Sequence, residues 1–165
     1  LDGFMKAVTA LGNGGVFWIG LCLLLLCFPK TRKMGVAGLL ALLLGALVTN
    51  VTLKNLVARV RPYDQFSDLI LLIERQRDFS FPSGHACSSF AAAGVIFKMA
   101  RPRWWGVAAI VLAALIAWSR LYVAVHFPSD VIVGILIGLA CSVIAVWLTQ
   151  KWFSRKKETG AENVR

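Results

Sequence analysis

The chain has 165 residues, a hydrophobic fraction of 58% and a formal net charge of +10. Ordinary soluble domains are roughly 45–50% apolar, so this composition excludes a typical soluble domain and favours a membrane protein. The charge alone would also suit a nucleic-acid binder, but the basic residues lie between long apolar runs and form no basic stripe. We therefore expect the lipid bilayer, and no nucleic acid, as a partner of this chain.

Helices that cross a bilayer contain about 20 mainly apolar residues, and the sequence predicts about five of them. They cover residues 13–29, 35–53, 84–100, 103–120 and 130–150. This pattern predicts an all-α, integral membrane helical bundle in a single domain over residues 1–153. Residues 154–165 are polar and form the predicted cytoplasmic tail.

The N-terminal residues predict one more, shorter helix. Apolar side chains recur at helical spacing over residues 2–11, at Phe4, Met5, Val8 and Leu11. Such a stripe on one face is typical of an amphipathic helix. We expect this helix to lie at the membrane interface.

The loops between the predicted spans differ in charge, and this difference predicts the orientation. The segments that follow spans one, three and five hold 11 of the 18 basic residues but only 2 of the 8 acidic ones. The positive-inside rule places these segments in the cytoplasm. The three polar motifs described next fall on the opposite side, so we expect a multi-pass plasma-membrane protein with an extracytoplasmic site. The sequence leaves the oligomeric state open.

The first polar motif ends the second predicted span. Lys54 and Arg61 are seven positions apart, close to two helical turns, so they are predicted to project from one helix face. Arginine offers a planar fork and lysine a point charge, and both suit phosphate oxygens. The pair alone also fits two cations that reach towards lipid headgroups. Arg59 faces elsewhere in this prediction and is interpreted as a headgroup contact.

The second motif, Pro82-Ser83-Gly84-His85, opens the third predicted span. Serine is a favoured N-cap, and glycine lets the backbone approach a ligand closely. A helix N-terminus presents free N–H groups to an anion. His85 then lies in the first turn, where it can protonate a leaving oxygen near neutral pH. The same residues also fit a simple helix cap with an incidental histidine.

The third motif joins the fourth and fifth predicted spans. Arg120 ends one span, His126 follows in the short loop, and Asp130 lies in the first turn of the next span. Asp130 is four residues after His126, so it can accept a hydrogen bond from the ring and leave the other ring nitrogen free to attack. A helix-capping aspartate near an interfacial histidine also fits.

The segment over residues 62–82 is the one long loop of the predicted bundle. Loops longer than about 12–15 residues usually have a role or are disordered. This one contains the apolar run Leu69-Ile70-Leu71-Leu72-Ile73. It fits either a lid that rests on the membrane surface or a segment that shapes substrate entry.

The three motifs occur in the order Lys-x6-Arg-Pro, Pro-Ser-Gly-His and Ser-Arg-x5-His-x3-Asp, between Lys54 and Asp130. Together they resemble the three-part signature of the type-2 phosphatidic acid phosphatase family, which also includes the vanadium haloperoxidases. The resemblance covers about half of the chain. It implies the membrane phosphatase branch, because five membrane spans would be out of place in the soluble haloperoxidases.

The resemblance implies two groups of site residues. The phosphate oxygens would be held by Lys54, Arg61, Ser83, Gly84 and Arg120. His126 would be the nucleophile that forms a phosphohistidine, His85 the general acid, and Asp130 the residue that orients His126. No metal and no other cofactor is implied, which fits a site whose cations supply the charge stabilisation.

The function implied is a metal-independent lipid phosphate or diphosphate phosphatase at the extracytoplasmic face. We expect an undecaprenyl-type isoprenoid diphosphate as the substrate. Phosphatidylglycerol phosphate and phosphatidic acid are the alternative substrates. A non-catalytic lipid transporter or flippase is the alternative of another class, although the polar groups gather at one face and no broken helix supports it.

Overall fold

Helices are the regular elements of this protein. The structure, a computed structural model, describes residues 1–162 and contains no strand over that range. In chain order the α-helices are α1 (Asp2–Leu11), α2 (Val16–Leu26), α3 (Arg32–Ala46), α4 (Lys54–Val57), α5 (Pro62–Gln65), α6 (Gly84–Met99), α7 (Trp104–Tyr122) and α8 (Pro128–Glu162). The predicted tail is thus helical as far as Glu162, and residues 163–165 lie outside the described residues.

The predicted all-α membrane bundle is confirmed, and the chain is a multi-pass membrane protein. Three helical stretches are long and apolar enough to cross a bilayer: Arg32–Gln65, Trp104–Tyr122 and Pro128–Lys156. A bent pair, Asp2–Leu11 with Asn13–Leu26, is a fourth if it counts as one span. The predicted span over 84–100 is α6, which has 16 residues and so is shorter than the usual span of about 20. The structure therefore gives three or four candidate spans, where the sequence predicts about five.

The N-terminal helix α1 packs on α7 near the end where α7 finishes. Tyr122 at that end donates a hydrogen bond to the Asp2 carboxylate at 2.6 Å. Met5 and Val8 are buried, whereas Phe4 is 56% exposed. The helix predicted over residues 2–11 is present, and its place at the membrane interface stays a prediction.

A bend of 43° separates α1 from the helical stretch that contains α2. Gly14 and Gly15 have φ of +58° and +67°. Glycine adopts this left-handed conformation at little steric cost, so the chain can turn sharply between the two helices. Past the bend, α2 is fixed to α6 by the buried Trp18 indole, which donates to the Ser89 hydroxyl at 3.0 Å.

Helix α6 occupies the middle of the bundle and packs against α3, α7 and α8. Small residues make close approach possible. A Cβ at Gly134 of α8 would lie 2.6 Å from the Ser83 carbonyl oxygen, and the Ser83 N–H donates to the Asp130 carbonyl at 3.0 Å. The first turns of α6 and α8 are therefore held side by side, which brings the second and third motifs together.

Gly138 allows a direct test of this packing, because a Cβ there would lie 2.9 Å from the Ala91 backbone nitrogen and even closer to the Cys87 carbonyl oxygen. We expect Gly138→Ala to lower the free energy of unfolding by about 1–3 kcal/mol, because α8 has to move away from α6. Gly20→Ala is the matched control, since nothing lies within 4 Å of its Cβ position. Denaturant unfolding in detergent micelles measures both. Equal stability of the two variants would contradict the close contact between the helices.

Candidate active site

Lys54 and Arg61 converge, but not as the sequence predicts. Helix α4 ends at Val57, and Ala58 has a left-handed φ of 46°. Arg61 is extended, with φ −79° and ψ 157°, because the proline that follows disfavours the helical conformation. The prediction that both cations project from one helix face is therefore wrong. A sharp turn of the backbone brings them together instead.

Both cations pair with the carboxylate of Asp78, in the long loop. Lys54 Nζ contacts Asp78 Oδ2, and Arg61 Nη2 lies 2.6 Å from Asp78 Oδ1. Arg61 Nε donates to the Asp78 carbonyl at 2.9 Å, and Arg61 Nη1 donates to the Val125 carbonyl at 2.8 Å. The two cations are buried, whereas the Asp78 side chain is 52% exposed. A phosphate that binds this pair must therefore take the place of the Asp78 carboxylate.

Asp78 is ionised near neutral pH. Burial raises the pKa of its carboxyl, but the charges and hydrogen bonds of Lys54 and Arg61 outweigh burial and lower that pKa from 3.8 to about 2. Asp78 was not among the residues predicted for the site. The feature of the sequence that could have indicated it is its acidic side chain close to the second motif.

The second motif forms the start of α6, as predicted. The buried Ser83 is the N-cap, and its hydroxyl oxygen accepts from the Ala86 N–H at 3.4 Å. A Cβ at Gly84 would lie 2.9 Å from the Asn50 side-chain oxygen, so the absence of a side chain lets that residue approach. The Ser83 hydroxyl proton has no acceptor among these contacts and can be donated to an anion.

His85 packs against the bend between α1 and α2. A Cβ at Gly12 would overlap its ring, and His85 Nε2 lies 3.0 Å from the Asn13 side-chain oxygen. Asn13 was not among the predicted site residues. The N-terminal bend, which holds Gly14 and Gly15, therefore forms one wall of the site.

Arg120 lies in the last turn of α7 and is a buried side chain with spare donors. Its Nη1 donates to the Thr9 hydroxyl at 2.7 Å. Its Nε is buried and has no hydrogen-bond partner within the described part of the chain. Because a buried unsatisfied donor is unfavourable, this nitrogen suits an anion such as a phosphate oxygen.

His126 and Asp130 are adjacent and buried. His126 Nδ1 lies 3.5 Å from Asp130 Oδ2. Burial lowers the pKa of His126, and the charges of Arg61 and Arg120 lower it too. The hydrogen bond that the ring donates to Asp130 raises the pKa in part, and the result is a decrease from 6.5 to about 4. The imidazole is therefore neutral near pH 7, the state in which a ring nitrogen can act as a nucleophile.

The position of Arg59 in the sequence suggested a contact with lipid headgroups, but in the structure its side chain also contacts other residues of the protein. Its Nη1 lies 2.7 Å from Asp130 Oδ1 and 2.8 Å from the Ser129 hydroxyl. Its guanidinium lies 3.9 Å from the centre of the Phe127 ring. The headgroup interpretation is therefore incomplete, because the guanidinium of Arg59 is turned towards the first turn of α8. Its place inside the first motif was the signal that could have found it.

The three motifs meet at one end of the bundle. Lys54, Arg61, Arg120 and His126 all lie close enough to His85 to act on it electrostatically. All eight predicted site residues are thus brought into one region, and their individual roles stay predictions. Among the side chains that the structure describes, those of residues 1–156, no group of three or more His, Cys, Asp or Glu could hold a metal ion.

A cavity of about 670 Å³ opens beside this region. Its polar part is lined by Lys54, Asp78 and His85. Its apolar walls come from α2 and α3 and include Ile19, Leu39, Leu42, Leu43 and Ala46. Arg61, Arg120 and His126 are not among the residues that line it. The cavity therefore places a charged end next to apolar walls, as a lipid phosphate requires.

The apolar run of the long loop does not lie free on a membrane surface along its whole length. Leu71, Leu72 and Ile73 pack against a small cluster of buried residues, Tyr63, Val123 and Val125. Ile70 is 81% exposed. The loop is thus fixed next to the third motif, whereas Leu69 and Ile70 are exposed.

This fold and this arrangement define a class of protein: a helical membrane hydrolase that gathers cations, two histidines and a carboxylate at one end of its helices, as phosphoryl transfer requires. A family model described as the PAP2 superfamily matches residues 35–154. The chain belongs to the PAP2 superfamily, which confirms the resemblance of its motifs. It is an enzyme of the lipid phosphatase type that acts on phosphate esters or diphosphates.

Relatives and solved structures agree with this assignment. The undecaprenyl-diphosphatase of Sulfolobus acidocaldarius is 36% identical over 146 residues, which are 88% of this chain and 69% of that protein. Aquifex aeolicus LpxE has a TM-score of 0.78 at 31% identity, over 88% of this chain and 85% of that one. The transmembrane PAP2-type phosphatidylglycerolphosphate phosphatase of Bacillus subtilis has a TM-score of 0.72 at 30% identity, over 92% of this chain and 77% of that one. The chain spans 59% to 69% of the length of three relatives.

The low pKa of His126 leads to a stability prediction. The unfolded chain takes up a proton on His126 as the pH falls through about 6.5, but the folded chain stays neutral there until about pH 4. Folding stability is therefore lost as the pH falls. We expect this histidine to contribute about 2 kcal/mol to the loss between about pH 7.5 and about pH 5. His126→Asn should show a smaller decrease in unfolding free energy over this range.

Asp78→Asn is the control for this measurement, because that carboxyl has a pKa of about 2 when folded and an ordinary value of 3.8. It should show the wild-type decrease between about pH 7.5 and about pH 5. An equal decrease in wild type and in His126→Asn would contradict a neutral, buried His126.

The pairing of Asp78 with two cations leads to a binding prediction. We expect Asp78→Asn to bind inorganic vanadate, a phosphate mimic, about three- to tenfold more tightly, because the anion no longer competes with a carboxylate. Without an anion, this variant should unfold at a lower temperature than wild type, because Lys54 and Arg61 lose their partner. Calorimetry and thermal unfolding measure the two effects. Asp64→Asn, which changes an exposed carboxylate paired with Arg75, is the control. Weaker vanadate binding by Asp78→Asn would contradict the competition.

Proposed function

We propose that the chain is a metal-independent phosphatase of an undecaprenyl-type isoprenoid diphosphate, with its site on the extracytoplasmic side of the plasma membrane. The observation that carries this proposal is the convergence of three buried cations and two histidines at one end of an apolar bundle. Phosphoryl transfer spreads negative charge over three equatorial oxygens, and three cations suit that demand. These cations supply the stabilisation that a metal would otherwise give.

The proposed reaction has two steps. In the first, a ring nitrogen of His126 attacks phosphorus and forms a P–N bond as the bond to the leaving oxygen breaks. His85 gives its proton to that oxygen, and the Asp130 carboxylate stabilises the His126 imidazolium. In the second, water attacks phosphorus, His85 takes its proton, and the P–N bond breaks to release phosphate.

The phosphate oxygens are proposed to be held by residues of all three motifs. Lys54, Arg61 and Arg120 pair with them. The Ser83 hydroxyl and the Gly84 N–H donate hydrogen bonds at the start of α6. The unpaired Arg120 Nε supports this assignment, because it is a buried donor with room for an acceptor.

The cavity and the relatives support a long-chain lipid as the substrate. Apolar walls beside Lys54 and His85 suit a hydrocarbon chain attached to a phosphate. A relative with 36% identity carries the name undecaprenyl-diphosphatase. Phosphatidylglycerol phosphate is the second candidate, because one similar structure is a phosphatidylglycerolphosphate phosphatase, and phosphatidic acid is the third. The excess of basic residues on the opposite loops supports an extracytoplasmic site.

Phosphate release from a panel of lipids tests this function. We expect the purified protein in detergent micelles to release phosphate from undecaprenyl diphosphate faster than from phosphatidylglycerol phosphate or phosphatidic acid, with EDTA present throughout. His126→Ala should lower turnover at least about 1000-fold, because no nucleophile remains. Arg101→Gln, at the opposite end of α6, is the control and should keep wild-type turnover.

The panel also separates the alternatives. Faster release from one of the other two lipids would replace the proposed substrate. Loss of activity in EDTA would contradict the metal-independent reaction, and near-normal turnover of His126→Ala would contradict the proposed nucleophile. Movement of lipid between leaflets of vesicles without phosphate release would identify a transporter instead.

A further inference from the structure

The Asp130 carboxylate is fully buried and is held by more than His126. Oδ1 accepts from Arg59 Nη1 at 2.7 Å. Oδ2 accepts from the Ser80 hydroxyl at 2.5 Å and from the Phe127 N–H at 3.0 Å. An ionised carboxylate with no exposure is unfavourable unless it is paired and hydrogen-bonded. These contacts therefore fix both the charge and the orientation of Asp130.

Arg59 supplies the positive charge that pairs with the Asp130 carboxylate, and two further contacts define the position of its guanidinium. The same Nη1 contacts the Ser129 hydroxyl, and the guanidinium stacks on the Phe127 ring. Residues 127, 129 and 130 all belong to the start of α8 or directly precede it. Arg59 is thus directed at the element that carries Asp130, whereas Arg61, two positions later, is directed at Asp78.

Ser80 and Asp130 together determine which ring nitrogen of His126 carries a proton. Its hydroxyl has one proton, and that proton is donated to Asp130 Oδ2. Ser80 Oγ lies 3.4 Å from His126 Nδ1, and Asp130 Oδ2 lies 3.5 Å from the same nitrogen. Both groups that face Nδ1 are therefore acceptors. The proton of the neutral ring lies on Nδ1, and the lone pair of Nε2 is free.

Arg59 and Ser80 are also hydrogen-bonded to each other through their backbones. The Ser80 N–H donates to the Arg59 carbonyl at 2.9 Å. This bond joins the first motif to the segment that precedes the second motif. The Asp130 carboxylate is consequently held by Arg59 and Ser80, whose backbones are hydrogen-bonded to each other.

We propose that Arg59 and Ser80 are positioning residues for the nucleophile: Arg59 holds the Asp130 carboxylate, and Ser80 holds its second oxygen and keeps the free lone pair of His126 on Nε2. This inference rests on the proposed function, in which His126 attacks phosphorus. Neither residue belongs to the defined positions of the three motifs, and neither contacts the cations that are proposed to hold phosphate.

Steady-state kinetics on undecaprenyl diphosphate in detergent micelles test the two residues. We expect Arg59→Gln and Ser80→Ala to lower kcat by roughly 10- to 100-fold, because each loses a hydrogen bond to a charged group, while KM changes by less than about threefold. Arg59→Lys and Ser80→Thr keep the charge or the hydroxyl and should recover part of the loss. Arg101→Gln and Ser67→Ala, in exposed positions, are the matched controls and should match wild type.

A double-mutant cycle separates positioning from a general structural role. In an Asp130→Asn background, Arg59→Gln and Ser80→Ala should each lower kcat by less than about threefold, because they act through the same carboxylate. Losses as large as in the wild-type background would overturn the inference. So would wild-type kcat in both single variants.

The ring protonation can be measured without any substrate. The chain contains two histidines, so nitrogen NMR of the full-length protein with labelled histidine resolves them, and His85→Gln assigns the His126 signals. We expect His126 to be protonated on Nδ1 at neutral pH, and Ser80→Ala to show a smaller fraction of this tautomer, because one of the two acceptors that face Nδ1 is lost. A proton on Nε2 in the wild type would overturn the inference. If the wild type releases no phosphate from any lipid, the proposed function fails, while this measurement still tests the role of Ser80.

Discussion

Charges buried at the end of an apolar bundle are unfavourable unless they are paired or hydrogen-bonded, and this constraint determines how most of the site is built. Asp78 pairs with both Lys54 and Arg61, and Asp130 pairs with Arg59. A single buried charge without its partner would be strongly unfavourable. The two carboxylates therefore bind the end of the long helical stretch to the loop and to α8, and the rest of the site follows from these two connections.

The cation pair and the proposed nucleophile face different demands. Arg61 is bound to a half-exposed carboxylate that a phosphate can replace, whereas Arg59 is bound to a carboxylate with no exposure at all. An exchangeable partner suits a residue that holds a substrate. A permanent partner suits a residue that holds the catalytic geometry, since side chains around a reacting group must keep their orientation. Arginines two positions apart thus serve the site in different ways.

The close packing of small residues brings the side chains of the site together. Glycines of α8 lie against the backbone of α6, and the bend at the N-terminus lies against His85. Backbones that approach this closely leave little freedom for the helices to slide. The N-terminal helix, which the sequence indicated only as an interfacial element, supplies Thr9 to Arg120, and the bend that follows it supplies Asn13 to His85.

The sequence by itself determined the helical membrane fold, the superfamily and the eight candidate site residues, because apolar runs and fixed motif spacings are local properties of the chain. It could not determine how Lys54 and Arg61 meet, since the left-handed turn at Ala58 interrupts the expected helix. It also missed Asp78 and Ser80 and interpreted Arg59 as a headgroup contact, because these side chains meet Arg61 and Asp130 only after the chain folds back on itself. Those partners were decided by the tertiary structure, because the need to neutralise a buried charge depends on which side chains are removed from water together.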